Sequence, residues 1–211
     1  MSSPFDVLAA SYAETWSATP EGRGQREEVW RVVDGLFGSG DRILDLGCGT
    51  GDDAVHLEGR GVEVYGIDSS QKMIDLACSR GVDAHWGWIE DLASVQGEFS
   101  GVLSNFGALN CVPRLEPVAR QLGRLISERG YLALCVMGRF SWRETVRFLL
   151  QGRVLKAARR WSGRAEWRGT RIRYWSGHEM RLAFEAYFEF EKRVAVGRGD
   201  HQLYVFRRRP L

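Results

Sequence analysis

The sequence predicts an α/β fold built on a doubly wound, mostly parallel sheet, and three observations predict it. Apolar runs of strand character alternate with segments of helical periodicity over the first two thirds of the chain. A turn rich in glycine, GCGTG at 47–51, separates the first such run from a helical pattern. Near the end, YFEFEKRVAVG and HQLYVFRRR alternate at strand period and are joined only by RGD, which predicts an antiparallel hairpin appended to the sheet.

In chain order, the strand signals are RILDLG (42–47), VEVYGID (62–68), FSGVLSN (99–105) and YLALCVMG (131–138). Continuous apolar runs of this kind suit parallel strands buried on both faces, and helical crossovers between them wind right-handed. The crossover signals are QREEVWRVVDGLFGSG (25–40), stopping on glycine, SSQKMIDLACSRG (69–81), opening on serine, and PRLEPVARQLGRLISERG (113–130), opening on proline. Pro117 inside the last marks a loop or kink in its first turn.

With 211 residues, 44% of them hydrophobic, the chain buries one sizeable core, so a single domain is expected over 1–211, with an N-terminal cap helix region over 1–24. Basic and acidic side chains, 29 against 27, nearly cancel, so a useful field depends on placement. Residues 139–174 hold ten arginines and one lysine against two glutamates, which reads as a basic, helical lid inserted after the fourth run. Cys48, Cys78, Cys111 and Cys135 are widely spaced, without a CxxC pair, and read as reduced structural thiols; no metal site is expected. The N-terminus lacks a basic region before an apolar stretch, and no run approaches the roughly 18 apolar residues of a membrane span. A cytoplasmic protein is the expectation.

Gly47, Gly49 and Gly51 stand where doubly wound sheets bind ligands, and bare backbone there admits close approach. The spacing G-x-G-x-G matches neither the dinucleotide fingerprint nor a P-loop. Asp52 and Asp53 follow directly and oppose the positive helix N-terminus that a phosphate would use. A cationic ligand without phosphate meets no such penalty; S-adenosylmethionine, with an ammonium, a sulfonium, one carboxylate and a ribose diol, is one. Asp45 at the tip of the first strand then favours the ammonium, and Asp68 at the end of the second accepts from both ribose hydroxyls.

The segments ILDLGCGTG, VYGIDSSQKMIDLA and SNFGALNCV together resemble the successive signatures of class I S-adenosylmethionine-dependent methyltransferases, of the small-molecule, methyltransferase type 11-like kind, over roughly residues 5–140. The resemblance implies a Rossmann-like sheet of seven strands whose last is antiparallel. It places Asp45, Gly47, Cys48, Gly49 and Gly51 around the methionine moiety, Asp68 on the ribose, and Ser69 and Met73 beside the adenine. Cys48 reads rather as a small filler of the turn. Relatives carry G-D-A-E-D-L after the third strand; here GWIEDL puts Trp88 in place of the first acid, leaving Ile89 to pack the ring and Glu90 or Asp91 to accept from the base. Ser104 precedes the acceptor segment, Tyr12 matches a pocket-facing tyrosine of the family's N-terminal helix, and Arg23 or Arg26 suits the methionine carboxylate.

Methyl transfer is an in-line displacement that positioning alone can accelerate, and it demands no metal or protein nucleophile. The resemblance puts Asn105 and Phe106 beside the transferred methyl, with Asn110, Met137 and Arg139 near; Asn105 reads equally as a turn former. Of His56, His85, His178 and His201, His178 beside Glu179 is the best placed as a base. The basic insertion reads in several ways. Trp142, Phe148, Leu149, Leu150 and Trp161 could cover an acceptor; the arginines could draw an anionic substrate or acidic membrane; and basic residues interleaved with Trp142, Trp161, Trp167, Tyr174 and Trp175 could bind nucleic acid. A solvated helix face is the plain alternative. VGRGDHQ links the last two strands almost directly, which implies a more open pocket than in relatives.

The expected function is methyl transfer from S-adenosylmethionine, giving S-adenosylhomocysteine, to an apolar or anionic small molecule. A tRNA-type nucleic-acid methyltransferase, a cofactor-binding module without turnover, and an NAD-type oxidoreductase are the alternatives. Oligomeric state is not legible.

Overall fold

The computed structural model describes residues 4–7, 9, 19–139, 163–167 and 169–210. Five parallel strands, β1 (Arg42–Leu46), β2 (Glu63–Asp68), β3 (Asp83–Trp86), β4 (Phe99–Ser104) and β5 (Ile126–Met137), join β8 (Phe188–Val196) and β9 (His201–Arg208) in one sheet ordered β3-β2-β1-β4-β5-β9-β8. Strand β9 is antiparallel to both its neighbours, as the two alternating terminal runs predict. The winding reverses between β1 and β4, so the crevice at their carboxyl ends is the sheet's switch point.

Two apolar layers flank the sheet. Strand β1 alternates between them: Ile43 packs with Val29, Leu57 and Ile74, whereas Leu44 and Leu46 pack with Val118, Leu122 and Phe184. The first layer is closed by α1 (Pro20–Val33), α2 (Asp52–Glu58) and α3 (Gln71–Ser79), the second by α4 (Glu116–Leu125) and α5 (Gly177–Phe184). By the same alternation Asp45 shares the face of Ile43, toward α1 and α2.

Local chemistry sets the helix starts. Thr19 accepts from Gly22 N and Pro20 opens α1, so this helix begins before the expected 25 and stops at Val33. Ser70 Oγ accepts from Met73 N at α3, and Ser176 with Glu179 closes a capping box on α5. Pro117 sits in the first turn of α4, where a missing N–H costs nothing, and introduces no kink.

The helix expected to 130 ends at Leu125, and Ile126 already pairs with Phe99 as strand. Pairing across the sheet overrides the helical spacing, helped by a register shift between Phe99 and Gly101 and by Gly130, where a side chain would strike Ser100 O. Strand β3 gave no apolar run because only Ala84 of its four residues is buried; it is the sheet edge. Of the basic insertion, the described end is a hairpin, β6 (Arg164–Trp167) against β7 (Thr170–Arg173), rather than helix. Residues 140–162, with Trp142, Phe148, Leu149, Leu150 and Trp161, lie outside the described residues, as does Tyr12 of the N-terminal cap. No helix among the described residues is long and apolar enough to cross a membrane.

Candidate active site

After β1 the chain turns through Gly47, Gly49 and Gly51 at φ of 77°, 54° and 78°, with Gly47 N and Cys48 N both donating to Ile67 O of β2. The glycines have different tasks. A side chain at Gly47 would collide with Cβ of Ala108, and one at Gly51 would press on Val82 and Ala77, so both serve packing as well as backbone conformation. A side chain at Gly49 would meet nothing within 4 Å: it faces a cavity of about 820 Å³ bounded also by Gly47, Cys48, Asp68, Met73 and Ile89. Gly51 is not among the lining residues; it caps α2.

Asp68 lines the cavity with its carboxylate oriented by two backbone donors, Gly49 N to Oδ2 at 3.0 Å and Ser70 N to Oδ1 at 2.8 Å. Burial raises its pKa; the N–H groups of Ser70 and Gly49 pull it back, and the charge of Asp6 adds to the rise. Ser70 Oγ donates to Asp6, tying the Pro4–Val7 turn over this corner, where Pro4 and Phe5 also line the cavity. Ser69, Met73, Trp88, Ile89 and Glu90 continue the wall, Trp88 being 45% exposed at the rim.

Asp45 does not line the cavity. It lies beneath the turn, 1% exposed, with Oδ2 lacking a hydrogen-bond partner. Burial, then Asp53 and Asp68, raises its pKa well above the usual range, against the pull of Arg26. Because the folded value is above the unfolded one, burying Asp45 costs stability at neutral pH, and that cost disappears as pH falls toward about 3.9, the value of the unfolded group. Asp45→Asn is therefore expected to raise the Tm of the ligand-free protein at pH 7 by a few degrees, the gain shrinking toward pH 4. Equal gains at both pH values in thermal melts would contradict this account.

The adjacent acids do not create the negative field that the bare sequence suggests. Asp52 is matched by Arg80 at 2.7 Å and Arg26 at 3.5 Å, and Asp53 by Arg26 at 2.6 Å. Asp53, 5% exposed, is a hub: Trp30 Nε1 donates to Oδ1 at 2.7 Å, and Asn105 Nδ2 donates to Oδ2 at 3.1 Å. Asn105 Oδ1 accepts from Phe106 N at 2.9 Å and so fixes Phe106 at φ 47°, with the Arg26 guanidinium over its ring. Asn105, expected at the acceptor, lines the cavity with its amide engaged at both ends, by Asp53 and by Phe106 N. Arg26, expected on a carboxylate of the ligand, is bound to carboxylates of the protein, although it borders the cavity. Arg23 and Arg80 line a smaller neighbouring pocket of about 280 Å³.

Other expected residues lie elsewhere. Ser104 is fully buried, its Oγ donating to Leu46 O, and joins β4 to β1 rather than lining the cavity. His178, in the first turn of α5, is exposed and does not line it either; its neighbour Glu179 is consumed by the capping box and by Arg139 and Arg173. Arg139 is accordingly held away from the cavity. Asn110 is fully buried: Nδ2 donates to Met137 O at 3.0 Å and Arg173 O at 2.6 Å, and Oδ1 accepts from Met137 N at 2.8 Å. Met137 lines the cavity, as do Cys111, Val112, Thr170 and Ile172, which the sequence reading did not single out; EWRGTRI, two short runs about Gly169, carried the hairpin signal. Burial, then the charges of Glu90 and Asp68, pushes the Cys111 thiol up to about 11, and burial with Asp45 and Asp68 raises Cys48, so both stay protonated and inert at neutral pH.

A methyltransferase-domain family model matches residues 23–188. Over 111 residues the chain is 33% identical to a 2-phytyl-1,4-naphtoquinone methyltransferase of Synechococcus elongatus, 47% of each chain, and over 68 residues 38% identical to a probable cobalt-precorrin-6B C(15)-methyltransferase of Saccharolobus solfataricus, 31% of this chain and 33% of that one. The matched part thus spans half or less of the length of these curated relatives. Among solved structures, a methyltransferase of Thermotoga maritima described as a possible histamine N-methyltransferase superposes with a TM-score of 0.70 at 21% identity, covering 97% of this chain and 98% of that one. The CcbJ methyltransferase of Streptomyces caelestis gives 0.69 at 19%, covering 94% and 96%. At such identities the likeness is one of fold.

Proposed function

The chain belongs to the class I methyltransferase family, and from that premise we propose that it transfers a methyl group from S-adenosylmethionine to a small-molecule acceptor bound in the same cavity. The observation that carries this reading is Asp68: a carboxylate at the end of β2, fixed by Gly49 N and Ser70 N, with acceptor capacity left over toward the cavity.

The residues present fit the cofactor. Gly49 offers open space beside bare backbone, and Asp45 Oδ2 lies unpaired beneath the turn. Asp68 would hold the ribose diol, Gly47 and Gly49 would lie along the methionine moiety, Ser69, Met73 and Ile89 would flank the adenine, and Glu90 would accept from its amino group. When bound, S-adenosylmethionine supplies an electrophilic methyl on sulfonium. The protein supplies position: Phe106 is held by Asn105, and the Met137 backbone by Asn110. A volume of about 820 Å³ is near the top of the range of about 300–1,000 Å³ for small-ligand clefts, which leaves room for the cofactor and a second small molecule.

Titration calorimetry is expected to show S-adenosylhomocysteine binding and no comparable binding of NAD, followed by turnover of S-adenosylmethionine with some member of a small-molecule acceptor panel. Preference for NAD would remove the reading. Cofactor binding without turnover would leave a binding module, and acceptor binding that weakens steeply with added salt would point to nucleic acid.

A further inference from the structure

The part of the cavity away from the glycine turn is walled by the hairpin β6–β7. In its register Ala165 pairs with Ile172 and Trp167 with Thr170, so Ala165, Thr170 and Ile172 share one face, while Arg164, Glu166, Arg171 and Arg173 alternate to the other. Ala165, Thr170 and Ile172 line the cavity together with Phe106, Val112 and Met137. Glu166, on the other face by this register, and Tyr174 border the cavity as well, and on the apolar face Thr170 Oγ1 is buried and has no hydrogen-bond partner. Buried hydroxyls are nearly always hydrogen-bonded, and one left unpaired in a residue that lines a cavity marks where a ligand atom would complete the bond.

The hydroxyl is presented at a fixed place, because the hairpin is bolted to the body of the protein. Asn110 Nδ2 holds Arg173 O, Trp175 Nε1 donates to Leu109 O at 2.9 Å, and Arg173 donates to Pro113 O at 2.9 Å. Among the described residues, Arg139 and Arg173 are both spent on Glu179, which leaves no guanidinium of theirs for an anionic acceptor.

We propose that this face is the acceptor subsite and that Thr170 is its specificity residue: it takes a neutral, largely apolar small molecule whose one polar group hydrogen-bonds Thr170 Oγ1. The assignment rests on the glycine-turn half being the cofactor site. Asn110 acts through the hairpin as a positioning residue.

The test titrates S-adenosylhomocysteine first, and then, on the product-saturated protein, four probes that share one ring system: naphthalene, 2-naphthol, 2-naphthoate and naphthylmethylammonium. The neutral phenol is expected to bind about tenfold tighter than the hydrocarbon, the effect of one neutral hydrogen bond. Thr170→Val should erase that advantage while leaving the affinities for naphthalene and S-adenosylhomocysteine unchanged. The assignment is overturned if 2-naphthol does not bind the wild-type protein, if Thr170→Val keeps the advantage, if either charged probe binds tighter, or if the probes displace S-adenosylhomocysteine. Failure of S-adenosylhomocysteine to bind removes the cofactor reading, and this subsite with it, and is seen separately in the first titration.

Discussion

Asp68→Ala is expected to weaken S-adenosylhomocysteine binding by about 2 kcal/mol, roughly thirtyfold in Kd, through the loss of charge-assisted hydrogen bonds to the ribose. The alanine variant also frees Gly49 N and Ser70 N, which Asp68 now holds, so part of the loss would come from a looser turn. Asp68→Asn separates the contributions, since its amide oxygen still accepts from one of these donors while the charge is gone. Burial raises the Asp68 pKa in the free protein, and hydroxyl donors favour the ionised form, so binding releases a proton and affinity falls as the solution is acidified through that raised value. Calorimetry over a pH series checks the sign: affinity that is flat from neutral pH down through the ordinary carboxylate range, or an alanine variant that binds as wild type, removes Asp68 from the site.

Much of the scaffold was legible in the sequence for a physical reason: strands buried on both faces must be apolar throughout, as Leu44, Val64, Val102 and Leu134 are, and glycine is forced where Ala108 approaches Gly47. Edges escaped. Strand β3 presents Asp83, His85 and Trp86 to solvent and carries no apolar signal, and residues 126–130 read as helix because only the Phe99 pairing makes them strand. The candidate site was legible as a set of positions more than as a set of roles. Asp68, Gly47, Gly49 and Asn105 lie on the cavity wall, but the Asn105 amide is engaged by Asp53 and Phe106 N, and Asn110, off the wall, spends its amide on the backbone. Residue type and location follow from sequence; which of two hydrogen-bonding groups an amide meets depends on elements distant in the chain, such as Arg173 O for Asn110 across 63 residues. The same distance hid Thr170, whose surroundings exist only once the hairpin folds back over Val112 and Met137.

Asp53→Ala carries the largest stability effect expected of a single substitution here, about 3–5 kcal/mol, because it leaves a buried guanidinium without its close partner. Arg26 is 7% exposed, and among the described residues the other carboxylate beside it is Asp52 at 3.5 Å, which Arg80 already shares. Trp30 Nε1 and Asn105 Nδ2 lose their acceptor in the same step, and Asn105, freed at one end, no longer pins Phe106 in the left-handed region, a conformation that costs about 1–3 kcal/mol unless its surroundings impose it. Removing the charge together with its partner should be far milder. Arg26→Met combined with Asp53→Leu is expected to recover more than half of the loss in urea-melt stability, since no uncompensated ion remains. A loss under about 1 kcal/mol for Asp53→Ala would mean that water reaches the network, and a double variant no better than the single one would mean that the cost lies in the Asn105–Phe106 backbone and not in the buried charge. In either protein Phe106 should leave its present contact with His201, which places this wall of the cavity under the control of the Asp53 carboxylate.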